Sequence, residues 1–383
     1  MVGVLKRAGE KIRLLAHVDI FTLLSAVVIS LLGLATMHSF GTENSFFYKQ
    51  IIWICVGVGV FFVASLGDYS VLRRTPFVVG FFFIIVTMLV LVFMFGAIVK
   101  GGQNRFNLGF FAVQPADPAK LMMVMLLAKY FSRRHIEIKH YKHILVSGLY
   151  AFIVSILVLL QPDFGSSLCI FGIWFGMVLV SGISWKHVLI LFLAGAIGFA
   201  GLWHYGLKPY QKARVLTFIH PLADIRGSGY NAYQSTVAIG SGELLGKGVG
   251  YGTQSKLQFL PEFQTDFIFA AYAEEWGFFG IIVFFCLFGI VLTRIIVIAM
   301  HGVDNFDRLF AAGVAIYFLS QFIVHVGMDM GLIPITGTTL PFMSYGGSHL
   351  LVEYAALGIL MGMRRHARPT IVARDQGELI GAV

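Results

Sequence analysis

The sequence predicts an all-α polytopic membrane protein, with about ten transmembrane helices and one long extracytoplasmic loop between the seventh and eighth. Three observations carry this reading. Of 383 residues, 58% are hydrophobic and 12% charged, too little charge to cover a soluble domain. Apolar runs recur along the chain, most of them near the about 20 residues that cross a hydrocarbon core. With both ends placed in the cytoplasm, 18 of the 28 Lys and Arg residues fall near the inner face, the positive-inside pattern. That distribution assigns the net charge of +9 to topology, so no nucleic-acid partner is expected.

The runs fall at 18–37, 47–66, 77–99, 119–131, 144–160, 166–183, 187–203, 267–292, 309–326 and 349–363, the fourth and tenth being short. Lys6, Arg7, Lys11 and Arg13 precede the first run. That run is too long for a signal-peptide core and no small-residue cleavage site follows, so an uncleaved helix is expected. Arg73 and Arg74 anchor an inner turn, and residues 100–117 form a polar outer loop. Lys120 lies one turn into the fourth run, where an ammonium is costly unless paired or wetted. A functional role for it is favoured over snorkelling. The loop 132–143 carries Arg133, Arg134, Lys139, Lys142 and three histidines without zinc spacing, and reads as an inner loop near anionic lipid headgroups. Gln161 to Gly165 make a tight outer turn in which Asp163 can cap the next helix. Cys55, Cys169 and Cys286 stand singly in separate apolar runs and read as core cysteines rather than metal or disulfide ligands.

The long loop spans 205–265, and loops of that length are usually functional or disordered. Residues 210–216 can form an interfacial helix with a basic face. Lys208, Lys212, Arg214, Arg226, Lys247 and Lys256 place six of the ten outer cations in this one loop, which points to an anionic ligand. Six glycines between Gly240 and Gly252 each cost about 1 kcal/mol in a helix interior, so this stretch is read as a loop. It is no P-loop, because Ser241 and Gly248 stand where Gly and Ser or Thr are needed. It is no dinucleotide fingerprint either, since the glycine spacing is wrong and no βαβ unit surrounds it. The loop delivers Asp266 to the mouth of the eighth run. Two readings stay open: a solvated loop whose Thr265 or Asp266 caps the next helix, or an acid held at the membrane surface for chemistry. Glu274 and Glu275, inside the eighth run, either mark a pathway or form a structural pair facing the bundle interior. In 328–347, Pro334, Pro341 and the glycines exclude a straight helix. Irregular backbone at that depth needs protein or a watery cavity beside it. No repeat or low-complexity segment interrupts a single integral domain over 1–370, followed by a short cytoplasmic tail at 371–383.

Several blocks resemble one family in its order: Gln161-Pro162-Asp163-Phe164-Gly165, Tyr210-Gln211, Gly229-Tyr230, Gln234-Ser235, residues 238–270, Pro334-Ile335-Thr336-Gly337 and the stretch Leu340 to Ser348. This is the SEDS family (shape, elongation, division and sporulation) of polytopic peptidoglycan glycosyltransferases, and the resemblance covers most of the chain. Gly246-Lys247-Gly248 and Gly252-Thr253-Gln254, ahead of Phe259-Leu260-Pro261-Glu262, resemble the RodA (elongation) branch more than the FtsW (division) branch. Arg105, Gln114, Pro115 and Lys120 also match. Phe106 stands where Trp is usual and Asp117 where Glu is usual. His325 and Asp329 replace Asn, and His349 follows Ser348 where Ser is common. The resemblance implies polymerisation of lipid II onto a glycan carried by undecaprenyl diphosphate, with Asp266 as general base. It implies substrate-binding roles for Arg105, Lys120, Asp163, Arg214, Lys256, Glu262, Ser344 and Gly346. No metal ligand and no cofactor are expected; the sequence does not decide a divalent-ion requirement. The implied setting is a bacterial cytoplasmic membrane with the active site outside, and the implied partner is a class B penicillin-binding transpeptidase. A lipid II flippase and a scaffold for that transpeptidase are the alternatives. Polar groups clustered on the outer side, without an inverted repeat, favour the enzyme.

Overall fold

The computed structural model of the chain describes residues 18–39, 45–99, 102–107, 109, 112–133, 141–206, 212, 215, 216, 218, 229–257 and 259–366. A helix forms at each of the ten expected runs: α1 Ile20–Ser39, α2 Ser45–Leu66, α3 Thr75–Phe95, α4 Ala116–Ser132, α5 Tyr141–Leu160, α6 Phe164–Val180, α7 Trp185–Gly201, α9 Ile268–Met300, α10 Asn305–Asp329 and α11 Gly347–His366. α8, Tyr230–Ser241, lies within the long loop, as does a single helical turn at Thr253–Lys256. Among the described residues, seven helices are long and apolar enough to cross a membrane: α1, α2, α3, α5, α7, α9 and α10.

The two short runs are the ones the interior claims. α4 is buried along almost its whole length, from Ala116 to Ala128, and packs against α10, α6 and α3. α11 packs on α2 and buries Glu353, Tyr354 and most of its last two turns. A helix walled in by protein needs no lipid-matching surface, so it can be short and carry charge. α10 is the hub, packed on α9, α4 and α6. Gly313 permits that approach, since a Cβ there would lie 2.7 Å from Val124 of α4 and 3.0 Å from Met177 of α6. The outward faces of α3, α5, α7 and the later part of α9 carry exposed Phe, Leu, Ile and Val, the surface a bilayer covers.

Three expectations need correction. The third run stops at Phe95, because Gly96 turns extended (ψ 154°) and its N–H donates the last helical hydrogen bond, to the Val92 carbonyl. Ala97–Val99 then form β1, which pairs antiparallel with β2 (Gly102–Asn107), and β2 pairs with β3 (Ala112–Val113). The outer loop is therefore a small sheet. Of the cysteines only Cys169 is core; Cys55 and Cys286 are exposed on the bundle surface, and none forms a disulfide. The eighth run is also not one continuous span. Gly277 (φ 62°, ψ −164°) breaks α9, a conformation open to glycine and strained for other residues. The part after the break, residues 278–300, is roughly 35 Å long at the helical rise and suffices for a bilayer core. The part before it is buried in protein from Ile268 to Glu275.

The glycine-rich stretch splints this break. Past the break, the N–H groups of Phe278 and Phe279 donate to the carbonyls of Glu243 and Leu244 (2.9 and 3.1 Å). Before it, the carbonyls of Glu274 and Glu275 accept from Lys247 and Gly248 N–H (both 3.0 Å). Broken helix ends leave orphan amides and carbonyls, and the loop supplies both partners. Contact is backbone to backbone: a Cβ on Gly246 would sit 2.1 Å from the Glu275 carbonyl oxygen. The glutamates complete the clasp. Glu274 Oε1 accepts from Lys247 Nζ (2.7 Å), Thr253 N (2.8 Å), Thr253 Oγ1 (3.1 Å) and Gln254 N (3.1 Å); Glu275 Oε1 accepts from Gly250 N (2.6 Å). A solvated loop is one of the readings open to this stretch from its sequence; the structure has a docked one. Glu274 and Glu275 thus bind the loop, a structural use different from a pair facing the bundle interior.

Candidate active site

Asp266 lies half-buried at the end of a tight turn, just before α9. The turn closes on the carbonyl of Glu262, which accepts from Thr265, Asp266 and Phe267 N–H at 3.0, 3.0 and 3.3 Å. Glu262 pays for this closure with a positive φ of 56°. The residue that caps α9 is Phe267, and it makes no side-chain cap bond. Neither Asp266 nor Thr265 occupies the N-cap position, and something other than the helix end also holds the turn that bears the acid.

That something is the irregular segment between α10 and α11. Tyr345 N–H donates to the Gln264 carbonyl (2.8 Å), and Ser344 Oγ donates to the Thr265 carbonyl (2.8 Å). Ser344 also accepts from Leu340 N–H through the same oxygen (2.8 Å), while its carbonyl accepts from Gln50 Nε2 and faces His349 Nε2, both at 3.1 Å. Gly346 N–H donates to Gln50 Oε1 (3.3 Å). Ser344 is fully buried, so its contribution to the site runs through the backbone of Thr265 rather than through an exposed hydroxyl. Gly337 (φ 72°) faces the carboxylate: a Cβ there would stand 3.3 Å from Asp266 Oδ2. Asp329, fully buried, accepts from the Ala270 N–H (3.2 Å). His325 holds this corner, with Nδ1 on the Thr338 carbonyl (2.7 Å) and Nε2 3.5 Å from Asp329 Oδ2.

The Asp163 turn abuts the same segment. A Cβ on Gly165 would lie 2.3 Å from Thr338 Cγ2 and 3.1 Å from the Thr336 carbonyl oxygen. Asp163 does cap α6, accepting from Ser166 N–H (3.0 Å), and its second oxygen accepts from Gln114 Nε2 (2.7 Å). Burial pushes its carboxyl above the usual range, while the Ser166 amide and the Lys120 ammonium pull it back. Gln114 N–H in turn reaches Ser348 Oγ (3.3 Å), tying the small sheet to the start of α11. Lys120 does not snorkel: it is fully buried, and its Nζ pairs with Asp117 at 3.2 Å. Arg105 is on β2, half-buried, with Nε on Asn104 Oδ1 (3.3 Å). Lys256 is exposed on its single helical turn. Arg214, Arg226, Lys208 and most of the expected helix at 210–216 lie outside the described residues, as do His135, His140 and the tail at 371–383.

Asp266, Glu262, Ser344 and Gly346 thus meet in one corner, and Asp163 joins it through Thr336 to Thr338. Lys247 was expected among cations for a ligand, but it is engaged by Glu274. Gln50 was missed; a lone amide inside an apolar run is the signal that could have found it. What the arrangement offers is an acid at the boundary between polar loops and an apolar bundle, on a turn held by the Glu262 carbonyl, the Tyr345 N–H and the Ser344 hydroxyl.

These observations define a multi-pass helical membrane protein with a fixed acid at one end of its bundle. The chain belongs to the FtsW/RodA/SpoVE family of cell cycle proteins, whose family model matches residues 11–369. It is 37% identical to the peptidoglycan glycosyltransferase MrdB of Escherichia coli (strain K12) over 287 residues, 75% of this chain and 77% of that one. It is 33% identical to stage V sporulation protein E of Bacillus subtilis (strain 168) over 364 residues, 91% of this chain and 98% of that one. The fold superposes on a chain of a peptidoglycan synthase complex, described for its coordination of polymerization and crosslinking, with a TM-score of 0.78 and 29% identity over 92% of this chain and 99% of that one. It also superposes on the rod shape determining protein RodA of Thermus thermophilus, with a TM-score of 0.68 and 26% identity over 91% of this chain and 97% of that one. The RodA-like resemblance read from the sequence is borne out.

Proposed function

We propose that this protein is a peptidoglycan glycosyltransferase of cell-wall elongation, polymerising lipid II at the outer face of the bacterial cytoplasmic membrane with Asp266 as its base. The observation that carries the assignment of Asp266 is its setting: a half-buried acid one residue before the N-cap of α9, fixed by the Glu262 turn and the Ser344–Tyr345 segment. The acceptor sugar hydroxyl attacks the donor's anomeric carbon. The new glycosidic C–O bond forms as the bond to the diphosphate breaks, the lipid diphosphate leaves with the electron pair, and the hydroxyl proton passes to Asp266. One carboxylate is enough because the leaving group needs no proton, unlike glycoside hydrolysis with its two acids. Positive charge must meet the diphosphate; Arg105, Lys256 and Arg214 are the outer cations assigned to it, through charge-assisted hydrogen bonds. Lys120, paired with Asp117, sets the charge beneath Asp163. The similarity to a synthase complex supports a class B penicillin-binding transpeptidase as partner.

The test is lipid II polymerisation by the purified protein in detergent, alone and with its transpeptidase. Glycan strands are expected. A flippase or a scaffold would make none. Orientation is tested separately. In a chain lacking its three cysteines, a cysteine at the exposed Tyr251 should react with an impermeant thiol reagent in intact cells, and one at Asp304 only after lysis. The opposite pattern would invert the topology.

A further inference from the structure

His325 and Asp329 lie one turn apart at the end of α10, and both are fully buried. Ionisable groups are costly in a dry interior unless their hydrogen bonds are met. Here two backbone groups meet them. The Thr338 carbonyl can only accept, so His325 Nδ1 carries a proton and donates it (2.7 Å). The Ala270 N–H can only donate, so Asp329 Oδ2 accepts (3.2 Å). Between the two side chains, Nε2 stands 3.5 Å from that same Oδ2. A bare ring nitrogen facing a bare carboxylate would set lone pair against lone pair. One proton therefore lies between them, and the pair carries no net charge.

The two backbone groups flank Asp266. Ala270 is the third residue of α9, and the helix's first turn is closed by Ala271 N–H on the Phe267 carbonyl (3.0 Å). The Ala270 N–H is thus among those that a helix start leaves without an intrahelical partner. Phe267, at the cap position, makes no side-chain bond to it. Asp329 supplies the oxygen from a neighbouring helix, in the role an N-cap side chain usually fills. On the other side, Thr338 follows Gly337, the residue that faces the Asp266 carboxylate. One arm of the pair fixes the helix that starts just after the acid; the other fixes the wall the acid faces. Ser235 of α8 donates to the Asp329 carbonyl (2.8 Å), and α10 is itself packed on α9, α4 and α6, so the pair is mounted on a rigid element. Apolar side chains of the same size would fill this corner without the burial cost, and could hold neither backbone group.

We propose that His325 and Asp329 are positioning residues that set where Asp266 stands relative to the acceptor hydroxyl. The inference rests on the reading of Asp266 as the base. The experiment is lipid II polymerisation kinetics of purified full-length variants, paired with hydrogen exchange. Asp329→Leu and His325→Phe keep the bulk and remove the acceptor or the donor. Each should lower kcat about tenfold or more per folded molecule and leave KM within about twofold, because placement of the base counts in the transition state. His325→Asn offers an amide N–H in place of Nδ1, and Asp329→Asn a carbonyl oxygen in place of Oδ2. The double asparagine variant, with no ionisable group left in the corner, should return to within about threefold of the wild-type kcat. Amides of residues 262–272 should exchange faster in Asp329→Leu, and those of 280–298 at the wild-type rate. A merely structural pair would lower the melting temperature and leave kcat per folded molecule unchanged. That result, a failure of asparagine to rescue, or a set of leucine and phenylalanine variants that never folds would overturn the proposal. Wild-type kcat in Asp329→Leu beside an inactive Asp266→Asn would overturn the positioning alone. Full activity in Asp266→Asn would instead overturn the base, and the exchange comparison would still decide whether the pair fixes the turn.

Discussion

The two halves of α9 belong to one apolar run, with two glutamates in the first half, and have different surroundings. Ile268 to Glu275 are buried to the last residue, in contact with α8, α10 and the glycine-rich loop. From Phe278 onward, Phe278, Phe279, Ile282, Val283, Phe285, Ile290 and Ile296 are exposed on the bundle's perimeter. The first half is a piece of protein core that carries two glutamates; the second is a lipid-facing span. Hydropathy reads one long greasy segment because lipid and protein interior favour the same side chains. Only the break at Gly277 separates them, and the loop around that break sets where the first half points, and with it the turn that bears Asp266.

Substitutions at the break should show this most strongly. Gly277→Ala forces an L-residue into a positive φ and brings its Cβ to 2.2 Å from Gly246 N. This φ/ψ combination is essentially reserved for glycine and alone costs about 1–3 kcal/mol, and the backbone clash should raise the loss to roughly 3 kcal/mol or more. Thermal melting in detergent should show little folded protein, whereas Gly289→Ala, in open space on the lipid-facing half, should melt as wild type or slightly higher. Similar losses for both would erase the distinction between the halves.

The clasp comes next. Glu274→Gln keeps the shape but leaves Lys247 unpaired and places an amide against three other donors. A loss of about 2–3 kcal/mol is expected. Lys247→Met should cost less, roughly 1 kcal/mol, because Thr253 and Gln254 still satisfy the carboxylate. Melting of the double mutant should give a total loss well below the sum of the two single losses. Lys256→Ala should have the smallest effect on stability, under about 0.5 kcal/mol as an exposed substitution. It should instead weaken use of the diphosphate-bearing donor, read as a raised KM in a polymerisation assay. Wild-type kinetics would release Lys256 from that role.

The helices were legible because a bilayer demands long apolar runs, and the bundle honours all ten positions. What periodicity could not provide was their surroundings. α4 looked doubtful because it is short and charged, the properties that full burial among α3, α6 and α10 allows. The small sheet escaped notice because β1 is three residues long and continues an apolar run. Glu274 and Glu275 were visible as acids out of place, but their partners are backbone amides of Gly250, Thr253 and Gln254, which no side-chain pattern announces. Asp266, Ser344 and Gly346 could be picked out individually by family resemblance; that Ser344 reaches Asp266 through the Thr265 carbonyl is tertiary information.

The most direct measurement compares Asp266→Asn with Glu274→Gln, the two acids that this comparison sets apart. Asparagine keeps the size of Asp266 and its backbone turn through Glu262 but takes no proton at neutral pH. A positioned base contributes roughly 100- to 10,000-fold. Glycan strands would be resolved on a gel from matched amounts of folded, purified protein, below the melting temperature of each variant. Asp266→Asn should melt like the wild type and yield about one-hundredth of its polymer or less, while Glu274→Gln should melt earlier and, where folded, still polymerise. Abundant polymer from well-folded Asp266→Asn would remove Asp266 as the base and leave the fixed turn without its chemical purpose.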